Sequence, residues 1–156
     1  QTAKDHNFPR MSTIQNSYSL IHRAYEYGMS EVSLRENIGL LVYSPLAFGV
    51  LSGKYIGGKT PEGARVSLFP RFNRYSSEQS EVAVKKYQDI AFKHGLTLAQ
   101  LSLAFVNQLP FVTSNIIGAT NLTQLKENIQ SINIELSEAV LKEIAVVHNL
   151  IPNPAP

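Results

Sequence analysis

The chain has 156 residues, 44% of them hydrophobic and 17% charged, with a formal net charge of only +2. These values exclude disordered, collagen-like and coiled-coil classes, and the length suits one hydrophobic core. No stretch approaches the ~18 consecutive apolar residues of a membrane span. The opening Gln1-Thr2-Ala3-Lys4-Asp5-His6 lacks the apolar centre of a signal peptide. Cysteine is absent, which rules out disulfides, thiolate metal sites and cysteine nucleophiles and favours a reducing compartment, so a cytoplasmic protein is expected. The four histidines, His6, His22, His94 and His148, have no HxH or HxxxH spacing, so no metal site is expected. A sequence that opens on Gln rather than Met reads as a piece of a longer product.

In chain order, three short apolar runs predict buried strands at residues 11–15, 40–43 and 112–117. The first two start about 29 residues apart, close to the ~30 of a strand–helix–strand unit. A helix is therefore expected between them. Ser76 with Gln79, and Thr97 with Gln100, fit capping boxes, in which side chains satisfy the orphan N–H groups of a helix start. Asn121 with Gln124 is a looser version, opening a helix over 122–131. A last helix is expected after Ser137, with Val140, Leu141, Ile144 and Val147 on its apolar side and Glu138 paired with Lys142. The proline-rich tail from Pro152 cannot continue it.

This alternation implies an α/β fold with parallel strands and helices packed outside. Three strands close nothing. A complete (β/α)8 barrel needs ~250 residues. Two architectures stand, a small open α/β domain or the C-terminal part of a TIM barrel, and the strand count favours the second. Residues 1–156 are in either case one domain.

Charge is unevenly placed. Residues 54–74 carry Lys54, Lys59, Arg65, Arg71 and Arg74 against Glu62, a local net charge of +4. A basic, Gly/Pro-containing stretch of this kind reads either as a loop facing an anion or as a solvated basic loop. Ligands of parallel α/β proteins sit beyond the carboxyl ends of the strands. Those ends read Gln15-Asn16-Ser17-Tyr18, Tyr43-Ser44-Pro45-Leu46-Ala47-Phe48-Gly49 and Gly118-Ala119-Thr120-Asn121. All three offer amide, hydroxyl or aromatic groups. The third combines a turn-forming glycine with an immediate helix start, where free N–H groups and the helix dipole favour an anion. Gln124, Glu127 and Asn128 follow on its first turns. The plainer alternative is that Asn121 only caps and Glu127 is solvated. Tyr43 likewise either covers a core or stacks on a flat ring.

Gly53-Lys54-Tyr55-Ile56-Gly57-Gly58-Lys59-Thr60 matches the P-loop pattern GxxxxGK[ST]. Its context is wrong: the preceding strand ends near Tyr43, and Pro61-Glu62-Gly63 follows instead of a helix. Nucleotide hydrolysis through this loop remains a third, minor reading.

The three spaced runs 14–20, 43–55 and 117–128 resemble the aldo-keto reductases, in a Tas-like bacterial branch related to the β subunits of voltage-gated potassium channels. The likeness covers essentially the whole chain, including the Val147-His148 and Pro154-Ala155-Pro156 ending. It implies strands six to eight of a (β/α)8 barrel, beginning inside the preceding helix, that binds NADPH at its C-terminal face. By resemblance Gln15 contacts the nicotinamide carboxamide and Tyr43 stacks on the nicotinamide ring. Ser44, Leu46, Ala47 and Lys54 match the pyrophosphate contacts, and Arg65 the loop folding over the cofactor. Gly118, Thr120, Gln124, Glu127 and Asn128 match the pocket for the adenosine and its 2′-phosphate. The family's catalytic Asp, Tyr, Lys and His lie on earlier strands, so no catalytic residue is assigned. The resemblance thus implies the cofactor-binding part of a carbonyl reductase, inactive alone, or a non-catalytic NADPH-binding or interaction module. A small-molecule carbonyl is the expected substrate of the complete enzyme, and neither nucleic acid nor membrane is an expected partner. Exposed strand edges point to a homo-oligomer or a missing N-terminal half.

Overall fold

The computed structural model describes residues 1–69 and 71–155. Pro70 of the basic loop and Pro156 of the C-terminal likeness lie outside them. A single helical turn, α1 (Thr2–Asp5), precedes β1 (Thr13–Ser17), a 3-10 turn (Ala24–Tyr27) and α2 (Met29–Glu36). Then come β2 (Gly39–Tyr43), a 3-10 turn (Ala47–Ser52), the four-residue α3 (Arg65–Leu68), α4 (Glu78–Lys93) and α5 (Leu98–Asn107). The chain finishes with β3 (Val112–Asn115), α6 (Leu122–Gln130), a 3-10 turn (Ser131–Asn133) and α7 (Glu138–Leu150). The strands form one sheet in the order β1-β2-β3, both neighbours parallel. The fold is mixed α/β, as expected, with a small parallel sheet that fits part of a barrel. No helix among the described residues is long and apolar enough to cross a membrane.

The sheet differs from the expected boundaries at both ends. β1 runs 13–17 rather than 11–15, because Asn16 and Ser17, polar in sequence, pair with Val42 and Tyr43. Met11, by contrast, is 61% exposed. β3 stops at Asn115 rather than 117. The Ile116 N–H still donates to the Val42 carbonyl at 2.7 Å, but β2 then turns away at Ser44, whose φ is +56°. Ile117 has no strand left to follow. Between β2 and β3 the register slips at Leu40/Leu41, leaving Thr113 as an extra residue between Val112 and Ser114. Gly39 belongs to this bulge: a Cβ there would lie 2.0 Å from Thr113 Oγ1 and 2.9 Å from its Cβ.

Helix starts follow local chemistry. Thr97 and Gln100 form the reciprocal capping box. Ser137 caps α7. For α4 the cap is Ser77, one residue beyond the expected Ser76. Ser77 Oγ accepts from the Ser80 N–H at 3.1 Å, while the Ser76 N–H closes a turn on Asn73. Asn121 caps α6 as expected. Gln124, however, reaches the Thr120 N–H rather than that of Asn121.

One face of the sheet is buried beneath helices. Leu40 and Val42 are fully buried together with Leu101 of α5, Ile144 of α7 and Val84 of α4. In α4 and α7 the buried residues recur at the three- and four-residue spacing of a single helical face. Tyr18 locks the β1 exit into this layer, stacked on Phe105 at 6.4 Å and edge-on to Phe111 at 5.6 Å.

Candidate functional site

Paired residues of neighbouring strands point to the same side of a sheet. Gln15 stands opposite Leu41, Leu41 opposite Ser114, and Ser17 opposite Tyr43. Gln15, Leu41 and Tyr43 therefore share the face opposite to buried Leu40 and Val42. On it Gln15 is exposed, and Leu41 and Tyr43 are half-buried. The structure thus puts Gln15 and Tyr43 on the less buried face, which also carries buried Ser17, toward the carboxyl ends of the strands.

Beyond Tyr43 the backbone is strained. Ser44, Ala47 and Phe48 have φ of +56°, +48° and +57°, a region that costs an L-residue ~1–2 kcal/mol. Hydrogen bonds from the Ala47 N–H to the Ser44 carbonyl and from Gly49 to Leu46, both 2.8 Å, hold the turn. Phe48 packs edge-on against Phe72 at 5.2 Å and Tyr75 at 4.8 Å. Non-glycine residues kept in such conformations cluster at ligand clamps. Two cations converge on this turn. The Arg65 guanidinium lies over the Phe48 ring at 5.6 Å. Lys54 approaches so closely that a Cβ at Gly49 would stand 3.0 Å from its Cε and 3.1 Å from its Nζ. Glycine at 49, with φ of +91°, admits both the turn and the ammonium. Ser44, Leu46, Ala47, Lys54 and Arg65 thus form one group.

Four of the five cations of the basic loop lie over aromatic faces. Lys54 sits over Tyr55, Arg71 over Phe72 and Arg74 over Tyr75, at 5.3, 5.2 and 5.5 Å. The P-loop reading fails here: no strand leads into Gly53, residues 53–58 are turns, and no helix follows Thr60 before the short α3.

A second group lies at the β3 exit. Gln124 Oε1 accepts from the Thr120 N–H at 3.1 Å and its hydroxyl at 3.0 Å. Buried Asn128 donates to the Gly118 carbonyl at 3.3 Å. Gly118 itself has no positive φ, and a Cβ added there would meet nothing within 4 Å. The tight turn expected of it from sequence is therefore not what the residue does. Glu127 is half-buried. It accepts from the Thr97 hydroxyl of α5 at 2.7 Å.

Sequence reasoning missed the anchor behind β1. Arg23 holds Glu26 with two hydrogen bonds of 2.7 and 2.8 Å, and the Tyr18 hydroxyl donates to the same carboxylate. Burial alone would raise the Glu26 pKa, but these hydrogen bonds outweigh it and leave it below the ordinary value. Burial, and then the Glu26 charge, push Tyr18 up. The available signal was an Arg–Glu pair three residues apart, beginning six residues past β1. Phe48 and Tyr75 left none, because their roles depend on a backbone strain that residue types do not announce.

The strand exits of this parallel sheet gather an amide, an aromatic ring, two cations and a strained turn, where ligands of parallel α/β proteins sit. The chain belongs to the aldo/keto reductase family, whose model matches residues 1–149. It is 54% identical over 154 residues to Protein tas of Escherichia coli, covering 99% of this chain and 44% of that protein. An aldo-keto reductase of Babesia bovis is 33% identical, covering 94% of this chain and 54% of that one. A probable voltage-gated potassium channel subunit beta of Arabidopsis thaliana is 38% identical over 100 residues, 62% of this chain and 30% of that one. The chain spans about half the length of the curated relatives it matches.

Proposed function

We propose that this chain is the cofactor-binding C-terminal part, strands six to eight, of an NADPH-dependent aldo-keto reductase barrel. The observation that carries the reading is the shared, less buried sheet face of Gln15 and Tyr43, with Lys54 and Arg65 converging on the strained turn beside it. In this reading Gln15 holds the nicotinamide carboxamide and the half-buried Tyr43 ring stacks on the nicotinamide. Ser44, Leu46, Ala47 and Lys54 bind the pyrophosphate, and Arg65 closes over it by exchanging the Phe48 ring for a phosphate. Gly118, Thr120, Gln124, Glu127 and Asn128 receive the adenosine end.

The residues fit such a ligand. Gly49 lets the Lys54 ammonium stand close against the strand-end turn, and Tyr43 is half-buried. When bound, reduced nicotinamide supplies the hydride that turns an aldehyde or ketone into an alcohol. This chain's residues orient the ring and neutralise the phosphates, while the proton for the carbonyl oxygen comes from groups outside it. The chain alone is therefore expected to be inactive. The open edges of β1 and β3 are proposed to pair with the remaining strands of a barrel or with a second copy.

A second reading is a non-catalytic NADPH-binding or interaction module, which the likeness to the potassium channel subunit favours. One experiment tests the part both readings share. Titrate the chain with NADPH, NADH and ATP and follow fluorescence. Selective NADPH binding, weakened roughly tenfold or more by Tyr43→Ala, is expected from losing one aromatic stack. No nucleotide binding, or binding indifferent to Tyr43, overturns the assignment of the site to this chain.

A further inference from the structure

We propose that residues 152–155 are a strap that fixes the base of the basic loop to the exit of β1, and that Asn153 is a positioning residue for the strand-end face; the link to ligand rests on the cofactor reading above. The strap is short, irregular and proline-rich, yet heavily bonded. Asn153 adopts φ of +45°, a conformation that Asn tolerates better than most L-residues. In that pose its Oδ1 accepts from the Arg23 N–H at 2.6 Å and its Nδ2 donates to the Tyr27 hydroxyl at 2.6 Å. The Pro154 carbonyl accepts from both the Ser77 and Ser80 hydroxyls, at 2.8 and 3.1 Å. The Ala155 carbonyl meets His22 Nδ1 at 2.9 Å, and Ala155 is fully buried.

These bonds join two segments far apart in sequence, the β1 exit at 22–27 and the start of α4 at 77–80. Merely ending α7 would need none of them. From α4 the constraint passes directly to the candidate site. Tyr75 lies two residues before Ser77, is 1% exposed, and packs its ring on Phe48 at 4.8 Å. Its hydroxyl also interacts with that of Ser44. On the other side the strap grips Arg23, whose guanidinium holds Glu26 and, through it, Tyr18. The strap therefore sets the spacing between the β1 exit and the β2 turn. Two prolines, each with φ already fixed, leave less freedom for the segment to lose.

The test uses the full chain, with Asn153→Ala, removal of residues 153–156, and Ile144→Val as a core control away from the strap. Hydrogen exchange is read at the Phe72, Ser76 and Ser80 amides, all hydrogen-bonded here, and NADPH affinity is read in parallel. Both strap variants should raise exchange at these amides roughly tenfold beyond any global change and weaken NADPH roughly tenfold, the scale of two lost hydrogen bonds. Ile144→Val should do neither. Asn153→Asp retains the acceptor for the Arg23 N–H, and the Tyr27 hydroxyl can donate to its other carboxylate oxygen, so it should stay close to the unaltered chain, and it keeps the test open if the truncation does not fold. Unchanged exchange at these amides overturns the strap. Raised exchange with unchanged NADPH affinity overturns the positioning role. If the unaltered chain binds no NADPH, the cofactor reading fails separately, and exchange still decides the strap.

Discussion

The two faces of the three-stranded sheet have been finished to different degrees. On one, Leu40 and Val42 are fully buried, in a core that includes Leu101 of α5, Val84 of α4 and Ile144 of α7. On the other, Gln15 is exposed and Leu41 and Tyr43 are half-buried. The lateral surfaces share this openness. Leu122, Leu125 and Ile129 of α6, with Ile132 just after it, are 74%, 38%, 56% and 64% exposed. They follow the spacing of a buried helical stripe yet remain exposed. Beside them the free edge of β3 borders a shallow groove that includes Asn115, Asn128, Ile129 and Ile132. Stability thus resides on the helical side, while the open side, proposed above to receive ligand and further strands, is held by local turns.

The sharpest way to break this comparison is to remove equal bulk from each side. Ile144→Ala should destabilise by about 2–5 kcal/mol, the range for emptying a packed aliphatic site. Leu122→Ala should change stability by no more than about 0.5 kcal/mol, since it is 74% exposed. Denaturant melts of both variants check this. A similar loss at both positions would mean that the α6 stripe is covered in solution and that the open side is closed by association.

Much of this asymmetry was legible in the sequence. The capping pairs, the helical spacing of Val140, Ile144 and Val147, and the strand–helix alternation reported the closed side, because burial and capping impose local patterns. The three strand exits were also visible as polar groups placed where packing asks for none. What stayed hidden was long-range or conformational. Glu127 turned to Thr97, thirty residues back. The cap moved from Ser76 to Ser77, where a contact with Pro154 adds to the local bond. The left-handed run Ser44, Ala47 and Phe48 has no residue signature, since none of the three is Gly, Asn or Asp.

The bulge at the sheet's centre offers a second, smaller break. A methyl at Gly39 would stand 2.0 Å from Thr113 Oγ1 and 2.9 Å from its Cβ. Rotating the hydroxyl clears the first contact but not the second. Gly39→Ala should therefore cost about 1–3 kcal/mol by overpacking. Adding Thr113→Ala should restore part of that loss, because the pair shares one steric conflict. Strictly additive losses in the double variant would place the cost of Gly39→Ala elsewhere than at the bulge.

The closed side also carries a pH signature. Tyr87 is 1% exposed and donates to the Leu20 carbonyl at 3.2 Å, and burial pushes its pKa up to about 12. Below pH ~10 both folded and unfolded chains keep the phenol proton. Between pH 10 and 12 the unfolded chain releases it first, so folding stability falls as pH rises, by as much as ~1.4 kcal/mol per unit for this one group. Tyr18, raised in the same direction, steepens the fall. Tyr87→Phe should begin about 1 kcal/mol less stable for the lost hydrogen bond, yet decline less steeply above pH 10. The two curves should converge on the alkaline side. If the variant keeps the slope of the unaltered chain, Tyr87 releases its proton without unfolding, and the helical layer is less tightly closed against hydroxide than its packing implies.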